Sequence, residues 1–291
     1  MVIIPELACP KCEADLENNY NGKIVCNVCR NVYRNEKYYV NLLDKNYDRL
    51  NEEVLVQDEV ALNYEKKRYQ MPYSKRYHAW WTNKMLNGLE AHFERVLDNG
   101  CGIGHLHEFI PSNQIVGIDA SSRMLHYASE HIESLVLGNS LELPFKSNSF
   151  TLVVCRSLLH HLTDKEKAVL EIHRVLRPGG KVVFSDTNAS LISIMPRLFA
   201  KYGEHFSESH QNLSIKSFKE LLEPKFNIDN LEYFGYIAYP LLGFPDLLNV
   251  FSYFPYKDTI GALLINVDKL ISKVPILKTQ SWGIIVKGTK V

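Results

Sequence analysis

The sequence predicts an α/β protein: a seven-stranded αβα sandwich with a small cysteine ribbon in front of it and a helical cap. Three observations lead there. From residue 95 onward, short apolar runs alternate with helical segments, the pattern of a parallel sheet wound with helices on both faces. A glycine-rich turn follows the first of those runs. Near the start, four cysteines stand as two CxxC pairs. The length, 291 residues, suits one large and one small domain, and the 46% apolar content supplies a core.

The strands follow in order. RVLDNG (95–100) reads as a buried strand running into the glycine turn, with a helix after it. QIVGID (114–119) is the second strand, and SSRMLHYASEH (121–131) a helix with Ser121 or Ser122 as N-cap. LVLGN (135–139) and FTLVVCR (150–156) are the third and fourth strands. TDKEKAVLEIHRVL (163–176) is amphipathic, with Ala168, Val169, Ile172, Val175 and Leu176 on one face. Thr163 and Glu166 have capping-box spacing, and Pro178-Gly179-Gly180 reads as the stop. KVVFSD (181–186), FNIDNLEYFG (226–235) and SWGIIVKGT (281–289) bring the strands to seven. The expected division is a ribbon over 1–44, a helical linker or lid over 45–90, and the α/β domain over 91–291. Cap insertions are expected at 187–215 and 236–280. The lid has a weak helical period through Leu50, Val54, Leu55, Val60, Ala61 and Tyr64.

Lysine plus arginine and aspartate plus glutamate both number 33, so nothing in bulk draws the chain to nucleic acid or an anionic membrane. The start, MVIIPELACPKC, has neither a basic region nor an apolar stretch of signal length. No uncharged apolar run reaches the roughly 18–20 residues that span a bilayer. The expectation is a cytoplasmic protein. Cys9-x2-Cys12 and Cys26-x2-Cys29 enclose 13 residues. Two such knuckles give four thiolates in a tetrahedral array, which suits a closed structural Zn2+ site in a reducing compartment. The apolar insert at 236–280 has three competing uses: a folded cap, a pocket for an apolar substrate or a membrane contact, and a dimer surface.

Chemistry concentrates in VLDNGCGIG (96–104). Glycines at this turn let backbone N–H groups approach a ligand, and a helix start there favours an anion. A dinucleotide site, or a turn that is merely tight, would also fit. Three details favour S-adenosylmethionine. The spacing is GxGxG, with His105 where a dinucleotide fingerprint leads on to its third glycine. Asp98 precedes the loop, where a carboxylate meets the positive amino-acid end. Asp119 closes the second strand, placed for ribose hydroxyls.

The stretches VLDNGCGIGHL, VGIDASSRML, GNSLELPFKSNSFTLVVCRSLLHHL and EIHRVLRPGGKVVFSD cover about 95–186. Together they resemble the class I methyltransferases of the methyltransferase-11 type, the group that contains the ubiquinone/menaquinone-biosynthesis C-methyltransferase. The resemblance implies a Rossmann-like fold. It implies that Asp98, Asn99, Gly100, Cys101, Gly102 and Gly104 cradle the methionine moiety and that Asp119 holds the ribose. By the same resemblance Ala120 and Met124 border the adenine, Asn139 and Ser140 lie beside its amine, and Cys155 and Arg156 flank the methyl-donating end. At Asn139 the family usually has an acidic residue, and an amide oxygen still accepts a hydrogen bond. Met124 also fits the core, and Cys155 reads as a buried strand cysteine. His160 and His161 are candidate general bases, or serve only to order their loop. His205 and His210 lie in a segment that roofs the substrate pocket in this fold.

LACPKCEADLE and GKIVCNVCRNVYRNEKYYVNLLD are similar to a small zinc-ribbon module that, as a separate protein, activates several RNA and protein methyltransferases. A similar N-terminus precedes an rRNA guanine-N1 methyltransferase, where it helps to bind RNA. The expected function is methyl transfer to a small, apolar acceptor, a quinone, isoprenoid or lipid-like molecule, with peripheral membrane contact as a partner option. The alternative is an RNA base methyltransferase with the ribbon reading RNA and Lys66, Lys67, Arg68, Lys75 and Arg76 contacting phosphates. A cofactor-binding regulator is the non-enzymatic reading.

Overall fold

The structure, a computed structural model, describes residues 4–18, 22–43, 54–55, 58, 61, 68–193, 212–245 and 249–291. Leu50, Val60, Tyr64, Lys66, Lys67, His205 and His210 lie outside the described residues, as does most of the expected cap insertion at 187–215.

Four short strands open the chain: β1 (Leu16–Asn18), β2 (Lys23–Cys26), β3 (Val32–Asn35) and β4 (Val40–Asn41). Helix α1 (Pro72–Leu86) leads to β5 (Val96–Asn99), β6 (Ile115–Asp119), α2 (Ser122–Ala128), β7 (Leu135–Leu137) and β8 (Phe150–Arg156). Then come α3 (Lys165–Val175), β9 (Leu176–Thr187), α4 (Ile215–Leu222), β10 (Phe226–Phe234), α5 (Lys257–Ile271), α6 (Pro275–Lys278) and β11 (Gly283–Lys290).

One sheet runs β1-β2-β3-β4-β7-β6-β5-β8-β9-β11-β10. The expected count of seven is corrected to eleven strands among the described residues. Strands β5 to β11 are the seven read from the sequence, and the cysteine module extends their sheet. Its last strand, β4, pairs in parallel with β7, Val40 opposite Val136 and Asn41 opposite Leu137. The bare edge of β7 is thereby covered, which removes a site for unwanted strand pairing.

From β4 to β9 the neighbours beyond the ribbon are parallel, and β11 joins β9 and β10 antiparallel. The chain moves outward from β5 to β6 and β7, then returns to lay β8 on the other side of β5. The reversal opens a crevice at the carboxyl ends of β5 and β8, where ligands bind in open α/β sheets. Alternate residues serve two cores. Leu97, Val153 and Phe184 join the cluster under α3 and α4. Val96, Leu152, Val154 and Val183 join the cluster that also takes Tyr77, Trp81 and Met85 from α1. Tyr73, Tyr77, Trp81 and Met85 repeat every fourth residue, the spacing that puts one stripe on one helix face.

Several boundaries differ from the sequence reading. After the glycine turn the chain makes only a 3-10 turn, His105–Glu108, because Pro111 cuts the segment short. Ser121 caps α2, its hydroxyl accepting the Met124 N–H. Asp164, not Thr163, caps α3 by accepting the Lys167 N–H; a carboxylate at that position satisfies a free helix N–H and meets the positive helix end. The Pro178-Gly179-Gly180 run does not stop α3. It lies inside β9 and carries the irregularity between the Phe150/Leu176 and Leu152/Lys181 pairs.

The described cap holds a wide helical turn, Tyr239–Gly243, and α5. Asp268 of α5 is buried and accepts the N–H groups of Tyr236, Ile237 and Ala238, which ties the cap to the end of β10. Among the described residues no helix is long and apolar enough to cross a membrane.

Candidate functional site

The crevice is built first from the turn after β5. Gly100, Gly102 and Gly104 have φ of 77°, 53° and 79°, the left-handed region that glycine enters at little steric cost. The Gly100 and Cys101 N–H groups both donate to the Ile118 carbonyl, at 2.9 and 3.0 Å, strapping the turn to β6. A Cβ on Gly104 would lie 3.1 Å from Ala128 Cβ of α2. A Cβ on Gly102 would meet nothing within 4 Å, so this residue faces open space.

Asp119, at the end of β6, is fixed through both oxygens. Oδ2 accepts the Gly102 N–H at 2.8 Å and Oδ1 the Ser121 N–H at 2.9 Å. Burial raises its pKa, and those N–H donors oppose the rise. Asp98, at the end of β5, is only 5% exposed. Among the described residues no hydrogen bond reaches its carboxyl. Burial pushes its pKa up to about 7, with the Arg156 charge opposing and Asp119 adding to the rise. A buried carboxyl without a donor is costly unless a cation comes to it.

Asn99 bridges the neighbouring strand ends. Its amide oxygen accepts the Ser140 hydroxyl at 2.7 Å, and its amide nitrogen faces Cys155 Sγ at 3.9 Å. The Asn139 oxygen accepts the Leu141 N–H at 2.9 Å. Met124 is buried on the first turn of α2, and Ala120 lies between Asp119 and the Ser121 cap. Cys101 and Cys155 are buried thiols whose pKa is pushed well up by burial. Asp98, Asn99, Asp119, Cys155 and Arg156 thus stand at the carboxyl ends of the adjoining strands β5, β6 and β8.

His160 and His161 follow β8, their rings 4.0 Å apart. His160 Nδ1 bonds Asp186 Oδ1, while Asp186 also accepts the Leu159 N–H at 2.8 Å and the Thr187 N–H at 2.7 Å. Burial opposes ionisation of Asp186, but the His160 contact and the Thr187 N–H outweigh it and hold the carboxyl below its usual range.

Sequence reading missed the contribution of α1. Arg156 lies over the Trp81 ring at 4.1 Å, donates to Thr82 Oγ1 at 3.3 Å and donates to His78 Nδ1 at 2.5 Å. His78 Nε2 donates to the Gly243 carbonyl at 3.0 Å, and Trp81 Nε1 to Ser185 Oγ at 2.8 Å. The i, i+4 pair His78 and Thr82, flanking Trp81, is the signal that could have found this face. Asp58 was also missed: Ser121 Oγ bonds its carboxylate, and the Arg123 N–H donates to it at 3.3 Å.

The cysteine quartet has Sγ atoms all within 4.8 Å of one another. Cys9 and Cys29 Sγ are 3.6 Å apart, Cys12 and Cys26 Sγ 3.4 Å. A tetrahedral zinc with bonds of about 2.3 Å has sulfur–sulfur edges of roughly 3.8 Å, so four thiols this close fit one ion. The crevice likewise fits S-adenosylmethionine: a buried Asp98 with no donor among the described residues, a pinned Asp119, and an open face at Gly102.

Comparison with known proteins agrees. A family model described as "Methyltransferase domain" matches residues 97–184. The demethylmenaquinone methyltransferase of Staphylococcus aureus is 30% identical over 169 residues, 53% of this chain and 70% of the relative. Among solved structures, an S-adenosylmethionine-dependent methyltransferase of Thermotoga maritima aligns with TM-score 0.56 at 17% identity, covering 81% of this chain and 99% of that one. A complex of a Haloferax volcanii methyltransferase with the activator Trm112 contains a chain aligning at TM-score 0.55 and 16% identity, covering 83% and 97%. Both structural likenesses speak to the fold. Fold, site and relatives converge: this chain belongs to the S-adenosylmethionine-dependent methyltransferases.

Proposed function

We propose that the chain methylates a small, apolar acceptor of quinone or lipid-like character. The relative that supports this acts, by its name, on demethylmenaquinone. The observation that supports the reading beside it is the buried aromatic cluster on which Arg156 rests, joining α1 to β10 and the cap. Trp81 packs on Phe234 and Tyr239 at 4.9 and 5.8 Å, and Tyr239 stacks on Trp282 at 5.5 Å. A site backed by packed aromatic side chains rather than by a row of cations suits an apolar ring better than a nucleic acid backbone. Lys75 ion-pairs with Glu108 and Arg76 bonds the Asp258 carbonyl, so neither favours an RNA acceptor.

S-adenosylmethionine brings a methyl carbon already activated on a positive sulfur. The protein's own task is to position, to exclude water and to move a proton. In this reading Asp98 takes the ammonium group and Asp119 the ribose hydroxyls. The backbone of Gly100, Cys101, Gly102 and Gly104 follows the methionine chain, beside Asn99. Ala120, Met124, Asn139 and Ser140 border the adenine, and Cys155 and Arg156 line the reacting end. His160, oriented by Asp186, is the base that removes a proton from the acceptor, with the His161 ring tilted against it.

The division into a ribbon (1–44), a lid (45–90) and a catalytic domain (91–291) is part of the same proposal. So is one structural Zn2+ held by Cys9, Cys12, Cys26 and Cys29. The cap exposes Tyr253, Tyr256, Leu263, Leu270 and Ile276, and Lys257, Lys269 and Lys273 lie among them. That composition suits lying against a lipid surface from which an apolar acceptor is drawn. Incubation with methyl-labelled S-adenosylmethionine and fractionated cell extract tests the reading. Label is expected in an RNase-resistant lipid fraction; label confined to RNA or protein overturns it.

A further inference from the structure

We infer that Arg156, steadied by His78, Thr82 and Trp81, clamps a negatively charged oxygen of the acceptor, an ionised hydroxyl on an aromatic or quinonoid ring. This rests on the apolar-ring reading above and adds the charge state of what binds. A guanidinium keeps its charge at any physiological pH and offers five N–H donors. Arg156 is half-buried at the last position of β8. Its hydrogen bonds use two donors, one to an imidazole nitrogen and one to a hydroxyl, and its face rests on an indole. All three partners are neutral. Among the described residues no carboxylate ion-pairs with it.

His78 cannot supply the missing negative charge, nor does it repel. Its Nδ1 accepts from Arg156 while Nε2 donates to the Gly243 carbonyl, which fixes the neutral tautomer. Burial, then the Arg156 charge itself, holds its pKa well below the usual range. A second polar group waits nearby. The Tyr69 ring packs on His78 at 4.9 Å and on His105 at 4.4 Å. His105 is 8% exposed, and its Nε2 is buried with no hydrogen-bond partner among the described residues. Native proteins rarely leave such an atom unpaired; a ligand oxygen or ring N–H at this wall would satisfy it. A guanidinium with no carboxylate in ion-pair contact among the described residues, its charge shared only at longer range with the buried Asp98, together with an orphan imidazole nitrogen and the Tyr69 ring, describes a receptor for a flat ring bearing an anionic oxygen. Ionising a ring hydroxyl also makes the adjacent ring carbon more nucleophilic, so the clamp would select the form of the acceptor that reacts.

The probes are 2-hydroxy-1,4-naphthoquinone, ionised at neutral pH, and its methyl ether, which is not. Each is titrated calorimetrically into the full chain saturated with adenosylhomocysteine. The ionised probe is expected to bind about tenfold tighter than the ether, the scale of one charge-assisted hydrogen bond. Arg156→Gln, likewise saturated with adenosylhomocysteine, should bring the two within about twofold. Thr82→Val, which removes one support of the clamp, should reduce the preference in part and serves if Arg156→Gln does not fold. Equal binding of both probes to the wild type overturns the clamp alone. Weaker adenosylhomocysteine binding in Arg156→Gln, with the probe preference intact, reassigns Arg156 to the cofactor's carboxylate. Binding of neither probe overturns the apolar-ring reading and the clamp with it.

Discussion

Asp98 carries the most specific consequence at the scale of a single residue. Its carboxyl is buried with no hydrogen-bond donor among the described residues, and burial pushes its pKa from an ordinary 3.8 up to about 7. An acid whose folded pKa is raised binds its proton more tightly folded than unfolded. Its contribution therefore falls as pH climbs from about 4 to 7, and above that the empty protein carries the full penalty. An arriving ammonium group removes that penalty. Cofactor affinity is expected to tighten roughly tenfold between pH 6 and pH 8, as the ionised fraction of Asp98 grows. In Asp98→Asn the affinity should be weaker and flat with pH, while the empty protein melts higher at pH 8. Calorimetry and thermal melts at the two pH values check both; a pH-independent wild type would contradict the assignment.

The glycines separate stability from binding. Gly104→Ala puts a Cβ 3.1 Å from Ala128 Cβ at a φ of 79°, and should cost about 1–3 kcal/mol of stability. Gly102→Ala meets no neighbour, so only the backbone strain of about 1 kcal/mol remains, and its main loss should be cofactor affinity. Equal melting losses in the two variants would contradict this distinction. These residues were legible because the motif is local: a strand, an aspartate, three glycines and a second strand ending in aspartate. Arg156 was legible as a position, but its partners were not. His78 lies 78 residues away in sequence, and no local pattern joins them.

At the scale of elements, the ribbon and the sheet depend on each other. Antiparallel pairing joins β1 to β4 beside the cysteine cluster, and β4 continues that unit onto β7. Cys12→Ser is expected to lower the zinc content from about one equivalent toward zero and to lower the melting temperature by several degrees. Plasma emission spectroscopy on the purified variant measures the first; unchanged zinc would contradict a four-cysteine site. The clustering of the four cysteines was visible in their spacing, whereas the sheet extension was not, because β4 contributes only Val40 and Asn41 to the pairing. Helix ends show the same limit. Thr163 and Asp164 are both competent caps, and only the three-dimensional path of the chain selects Asp164. Likewise α1 has few signals of a core helix beyond its aromatic stripe, since the surface it covers comes from β8, β9 and β11.

At the scale of the whole molecule, alternation of strand and helix was enough to read the doubly wound sheet. Topology then fixed where the site had to lie, at the reversal between β5 and β8. What local patterns cannot show is convergence: the glycine turn, the end of β8, α1 and the cap meet at one crevice only because the sheet twists and the connections cross. Asp98 and Asp119 end neighbouring strands on the same side of the sheet, where the proposal has them take the two ends of a single ligand. A crystal structure of the full chain with adenosylhomocysteine tests that arrangement most directly. The ligand is predicted to lie over Gly100 to Gly104 with its amino group on Asp98 and its ribose hydroxyls on Asp119. Ligand bound elsewhere, or an empty crevice at saturating concentration, would contradict it.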